Sequence, residues 1–385
     1  MKTKPLRIAA AVCLAAVGVS LLVFIARTNN ASQRDFISYW AAGQQLAHGA
    51  NPYDGDAVLR IESAVGFDRV EPLIMRNPPL AFLLAWPLGF VGSNVGIVLW
   101  FIFLLFSLVA SIHMLWTLDG RPDNRLHLLG YCFAPVMGCL MLGQFGLFLL
   151  FGVVLFLFFH KSRPFLAGAA LVLCAMKPHL FLPFGVAQVA WALSSKAYHI
   201  LAGAGAALLA GCAVAFCVDR QGWSQYSLMM SHAGIKDAAL FTLSKYFRLL
   251  VDRDAFQLQF LPQAAACVWA LWYFLTRRAR WNWMDQGLLV LLVSVMCAPY
   301  AWFTDEAVLL PAVLVGVYRA DESGRSLLPF GFLAGAAIIE LLASVHIASP
   351  YFLWTTPAWL AWYFYATGKI GASPHGIRSN ASIAD

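Results

Sequence analysis

"VGIVLWFIFLLFSLVASIHMLWT", residues 95–117, holds no Asp, Glu, Lys or Arg in 23 positions. A helix of that length is about 34 Å long, enough to cross a hydrocarbon core of about 30 Å. At that depth no water can pair with the backbone, so its N–H and C=O groups must pair internally, as a helix allows. Similar apolar runs recur from Ile8 to Thr367, and the 385-residue chain is 61% hydrophobic and 12% charged. An ordinary soluble domain carries about a quarter charged residues, and here the mean hydropathy is +0.71. The predicted fold class is an all-α polytopic membrane protein, a single integral-membrane domain over residues 1–385.

The net charge of +7 excludes little by itself, because a nucleic-acid-binding protein can show the same excess. Its distribution decides the matter. Spans are expected near 8–26, 95–117, 127–141, 145–160, 165–177, 179–195, 199–217, 258–276, 286–299, 306–319, 327–346 and 350–367. In that order the short segments assigned to the cytoplasm, such as "LDGRPDNRL", "HKSR" and "RRARWNW", hold 15 of the 26 Lys and Arg residues. This is the bias that orients membrane proteins, and no run resembles a nucleic-acid-binding segment. "MKTKPLRIAAAVCLAAVGVSLLVFIA" is longer than a signal core and is followed by "RTNNAS", a poor cleavage site. The expectation is an uncleaved first helix, cytoplasmic termini and two long outer loops at 27–94 and 218–257. The eight cysteines show no CxxC or Cys/His ligand spacing, so neither a disulfide framework nor a zinc site is expected. No metal or cofactor is predicted.

Spans 127–141, 165–177 and 286–299 are short, and each ends in helix-breaking residues: "GQF" at Gly143, "KPH" at Lys177 and "APYAWFTDE" at Ala298. Broken helices at membrane depth are tolerated where they line a cavity or are buried in protein. All three breaks fall on the expected outer side. The first outer loop begins "RDFISYWAAGQQLAHGANPYD", Arg34–Asp54. Phe36, Ile37, Trp40, Ala41 and Ala47 recur at helical spacing, with Asp35, Tyr39 and Gly43 on a neighbouring face. That pattern predicts an amphipathic helix at the interface, closed by Gly49 and Pro52. "RNPPLAFLLAWPLGFVGSN" predicts a second interfacial helix started by its Pro-Pro pair.

Ionisable groups near membrane depth are functional candidates by default. Asp35 has two compatible readings: an N-cap for the following helix, or a general base taking a proton from a hydroxyl. Lys177 and His179 read either as a snorkelling Lys at a helix end or as an anion site for phosphate. Asp305 and Glu306 read as helix-dipole partners or as site residues. Gln144 reads as a sugar or phosphate contact, or as a partner for broken backbone. Glu340, inside an apolar span, is either paired across helices or without an explanation in the sequence. Arg76, Lys245, Arg248 and Arg253 are solvated loop charges or phosphate contacts. "DGD" at 54–56 is too weak a signal for a metal pair.

Taken in order, "DFISYWAAGQQLAHGANPYD", "RNPPLAFLLAWPL", "LGQFG", "MKPHLFLPF" and "APYAWFTDEAVLLP" resemble glycosyltransferase family 87, which contains polyprenol-phosphate-mannose-dependent mannosyltransferases of the GT-C fold. The resemblance runs from about Arg34 to Pro311. It implies a bundle of about 12 transmembrane helices with two interfacial helices in the first outer loop. It also implies a cell-envelope enzyme, in the inner (cell) membrane, whose site faces the periplasm or exterior. A sugar, mannose-like hexose or pentose, would pass from a polyprenyl-phosphate donor to a hydroxyl of a lipid or glycan acceptor with inversion. Asp35 matches the family's base. Lys177 and Asp305 match site-lining positions, with His179, Arg76 and Arg248 as further phosphate contacts and Tyr39, Trp40, Gln144 and Tyr300 as lining residues. The chain departs from the family at "WFTDE", where His or Tyr more usually precedes the aspartate. The competing class is a lipid or small-molecule transporter or flippase, since broken helices and buried charges serve those too. Against it, no internal repeat is visible and the charged candidates gather on one expected side.

Overall fold

The computed structural model describes residues 35–233, 242–343 and 350–368, and these are all helix and connecting turn with no strand. The first apolar run, 8–26, lies outside them. Helices α1 (Phe36–Ala47) and α2 (Gly55–Ala64) open the described chain, followed by a composite helical segment, Pro79–Phe90. Then come α3 (Ser93–Leu118), α4 (Ala134–Leu142), α5 (Gly146–Phe159), α6 (Pro164–Ala170) and α7 (Leu182–Ser194). The second half holds α8 (Tyr198–Val218), α9 (Gly222–His232), α10 (Leu243–Val251), α11 (Leu261–Arg277), α12 (Leu288–Met296), α13 (Leu310–Glu322), α14 (Leu328–Ala343) and α15 (Thr355–Ala366).

Among the described residues, three helices are long and apolar enough to cross a membrane: Ser93–Leu118, Tyr198–Val218 and Phe256–Arg280. Each leaves large apolar side chains exposed, among them Phe103 and Phe106, Leu209, and Val268 and Trp272. Outward apolar faces are what hydrocarbon solvates and water does not. The other apolar segments are helical but shorter, and the breaks fall where helix-stopping residues stand. Helix α4 ends at Gly143, whose φ of +70° suits a residue without Cβ. Helix α6 gives way to short 3₁₀ turns on either side of Lys177, which precedes a proline and is held out of helical geometry.

The core lies where these short pieces meet. Helix α5, the 3₁₀ helix Phe303–Leu309 and helices α12 and α13 are buried almost throughout. Small residues let helices touch at backbone distance. A Cβ on Gly168 of α6 would collide with the Ile200 carbonyl of α8, and one on Gly203 of α8 with that of Phe165.

Helix α1 differs from the amphipathic interfacial helix expected of its spacing. Ten of its twelve residues are buried, on both faces. One face meets Pro79–Phe90 so closely that a Cβ on Gly43 would strike the Ala85 carbonyl, while Trp40 Nε1 donates to the Val91 carbonyl at 2.9 Å. On the other face Tyr39 stacks on Trp100 of α3, ring centroids 5.1 Å apart. The helix's second, more polar stripe is covered by protein, which a hydrophobic pattern cannot reveal. Asp54 of "DGD" caps α2, accepting from the N–H groups of Asp56 and Ala57.

Candidate active site

Four chain breaks deliver side chains to one place. The start of α1 brings Asp35 and, one turn on, Tyr39. The α4–α5 turn brings Gln144, the break before Pro178 brings Lys177, and the 3₁₀ helix Phe303–Leu309 brings Asp305. Trp100 Nε1 fastens the α4–α5 turn by donating to the Gly143 carbonyl at 2.7 Å, and the Gln144 N–H donates back to the Cys139 carbonyl at 2.8 Å. Gln144 then bridges two groups of α1. Its Nε2 donates to Asp35 Oδ2, and its Oε1 accepts from the Tyr39 hydroxyl at 3.1 Å.

This corrects the capping reading of Asp35. The residue has helical dihedrals and its side chain makes no cap hydrogen bond. Its carboxylate is directed to Gln144 instead. Burial raises its pKa above the ordinary carboxylate value, opposed first by the Gln144 hydrogen bond and then by the charges of Lys177 and Arg69. Arg69, in the first outer loop, was missed in the sequence because an isolated Arg in a polar stretch carries no pattern.

Lys177 does not simply snorkel. Its Nζ lies 2.6 Å from Asp305 Oδ1, and the two side chains are only 12% and 1% exposed. Asp305 Oδ2 accepts from the Trp302 N–H at 3.0 Å, so this carboxylate both closes its helix start and holds the lysine. An ammonium has three donors, and Asp305 engages one. Cys139 belongs to the same cluster: Asp305, Lys177 and Asp35 all act on it electrostatically, and its Sγ donates to the Thr304 carbonyl at 3.2 Å.

His179 and Tyr300 sit together beside this centre, ring centroids 3.9 Å apart, and Gln263 Nε2 holds the His179 carbonyl. The other expected residues are elsewhere. Trp40 Nε1 donates to the Val91 carbonyl, and its ring lies beside Gly96 of α3. Arg248 is buried in α10, with Nη1 donating to the Arg253 carbonyl at 3.1 Å and its guanidinium over the Phe256 ring. Arg76 lines a separate cavity with Tyr53 and His232. Neither arginine is among the charges acting on Asp35. Glu340 accepts from Trp354 Nε1 at 2.8 Å, a pairing across helices, and Glu306 is bonded to Thr355 at 2.5 Å. Among the described residues no three His, Cys, Asp or Glu side chains form a metal-binding group.

A partly buried carboxylate beside a lysine–aspartate pair suits the transfer of a group between oxygen atoms. The model of glycosyltransferase family 87 matches residues 76–320, well over half of the chain. The chain belongs to glycosyltransferase family 87. It is therefore a membrane glycosyltransferase. The matched range contains Gln144, Lys177, His179, Tyr300 and Asp305 and begins after Asp35. No curated protein and no solved structure matches the chain.

Proposed function

We propose that the protein moves a sugar from a polyprenyl-phosphate donor to an acceptor hydroxyl, with Asp35 as general base and inversion at the anomeric carbon. The observation that carries this reading is the Asp35 carboxylate: partly buried, free of capping duty, oriented by Gln144 and within electrostatic reach of Lys177, the partner of Asp305. The acceptor oxygen attacks the anomeric carbon as the bond to the phosphate oxygen breaks. Asp35 takes the hydroxyl proton, and the polyprenyl phosphate leaves with the bonding electrons. A general base works best with its pKa near the working pH, and burial moves Asp35 in that direction. The two ammonium donors that Asp305 leaves on Lys177 are available to the departing phosphate, as a preorganised charge.

An apolar groove supports a lipid-borne donor over a soluble one. It has a volume of about 660 Å³ and begins at Pro178, next to Lys177, between walls that include Cys174, Phe181, Leu182, Val189 and Leu271. A phosphate at Lys177 would place a prenyl tail at its mouth. In this reading the chain crosses the inner (cell) membrane twelve times, with cytoplasmic termini and the site on the outer face. The test is transfer by the purified chain in lipid. Polyprenyl-phosphate mannose should serve as donor and a nucleotide-linked mannose should not, with the product's anomeric configuration opposite to the donor's. Transfer from the nucleotide sugar alone would overturn the proposal.

A further inference from the structure

A second cavity, of about 350 Å³, opens between the first outer loop and α9. Its walls include Tyr53, Ile74, Arg76, Gln225, Met229 and His232. The volume suits a single sugar-sized headgroup. Its polar groups are unusual in what they lack. Arg76, solvent-exposed at the cavity's edge, has no acid partner among the described residues. Gln225 Oε1 is buried with no hydrogen-bond partner. Outside the lining, at the foot of α9, Asp219 Oδ2 is also buried and unpartnered, and its charge acts on Tyr53. His232 Nδ1 lies 3.0 Å from the Leu228 carbonyl and so carries the proton there, leaving Nε2 able to accept. Asp54 also lines the cavity, but its carboxylate is engaged in capping α2.

An unpaired guanidinium is satisfied by an anion, and buried acceptor oxygens are satisfied by hydroxyl donors. The cavity is also tied to the centre described above. The Tyr53 hydroxyl donates to the Asn77 carbonyl at 2.9 Å, and Asn77 Nδ2 donates to the Met176 carbonyl at 3.2 Å, immediately before Lys177. Tyr226 packs its ring 5.7 Å from that of Tyr53. We propose that this cavity binds the acceptor, and that its ligand is a polyhydroxylated headgroup carrying an anionic ester such as a phosphate. Arg76 then serves the acceptor and not the donor. Assigning the ligand as acceptor rests on the transferase reading; its chemistry rests on the cavity.

The test is binding, read apart from turnover, using the full chain in phosphatidylcholine nanodiscs with glycerol 1-phosphate, inorganic phosphate and glycerol as probes. Glycerol 1-phosphate should bind at one site, more tightly than either fragment. Arg76→Met should weaken it about tenfold or more, the scale of a charge-assisted hydrogen bond, and Arg76→Lys should restore part. Gln225→Leu should weaken it by a smaller factor. Lys177→Ala, which removes the donor-phosphate cation, should leave this affinity unchanged. Discs containing phosphatidylglycerol separate the two sources of the headgroup: competition with the probe supports a lipid acceptor, and undiminished binding supports a soluble one. Equal affinity in wild type and Arg76→Met, loss on Lys177→Ala instead, or no preference for the ester over inorganic phosphate would overturn the proposal. A chain that binds the ester this way but transfers no sugar would disprove the transferase reading while keeping the cavity.

Discussion

At the scale of single residues, the proposed chemistry rests on how the protein sets charge around Asp35. Gln144 Nε2 donates to its carboxylate and favours the ionised form. Gln144→Leu removes that donor, so the Asp35 pKa should rise further. A base must be unprotonated to act, so the acidic limb of the kcat/KM profile should move to higher pH than in the wild type. An unmoved limb would detach Gln144 from the base. Lys177 and Asp305 make a second, separable forecast. Lys177→Ala should weaken donor binding, whereas Asp305→Asn, which leaves the ammonium charged and unshared, should keep it or strengthen it; titrating donor onto both variants checks this. Of these residues Asp35, Lys177, Asp305 and Gln144 were legible from position, since polar groups at helix breaks stand out in an apolar chain. Their mutual contacts were not, because Gln144 and Asp35 are 109 residues apart and spacing carries no information at that range. Trp40 and Arg248 were also expected at the site and sit elsewhere, because residue type does not tell which wall a side chain faces.

At the scale of elements, the first outer loop behaves as part of the core. Helix α1 is pinned between Pro79–Phe90 and α3, with Gly43 at backbone contact. Gly43→Ala should overpack this contact and cost about 1–3 kcal/mol, seen as a lowered denaturation midpoint. Helix α2 carries another buried carboxylate, Glu62, whose Oε2 accepts from the Leu73 N–H at 3.1 Å and whose Oε1 has no partner. Burial raises its pKa from 4.5 to about 7, against the opposing effects of the Leu73 N–H and Arg69. The folded chain therefore holds a proton that the unfolded chain has already released. Glu62 stabilises most below about pH 4.5 and loses that contribution as pH rises through about 7. Glu62→Gln should flatten the fall in Tm across this window, and an equally steep fall in the variant would place its source elsewhere. The helices themselves were readable from apolar runs and Pro or Gly stops. The burial of both faces of α1 was not, because a helix covered by other protein shows the same spacing as one lying on a membrane.

At the scale of the whole molecule, long apolar helices carry exposed hydrophobic faces while short broken ones converge on a polar centre. The topology proposed for it predicts that single cysteines at Ala50 and Ser323, in a chain otherwise lacking cysteine, are labelled from opposite sides of the membrane. Labelling from one side would refute the twelve-span order. In the proposed reaction this convergence places one carboxylate against an acceptor hydroxyl. Asp35→Asn tests it most directly, since the amide oxygen can still accept from Gln144 Nε2 but cannot take a proton. Turnover of the purified variant with polyprenyl-phosphate mannose should fall by about 10²–10⁴-fold, the usual contribution of a general base, with donor affinity and Tm near those of the wild type. Turnover close to wild type would contradict the account.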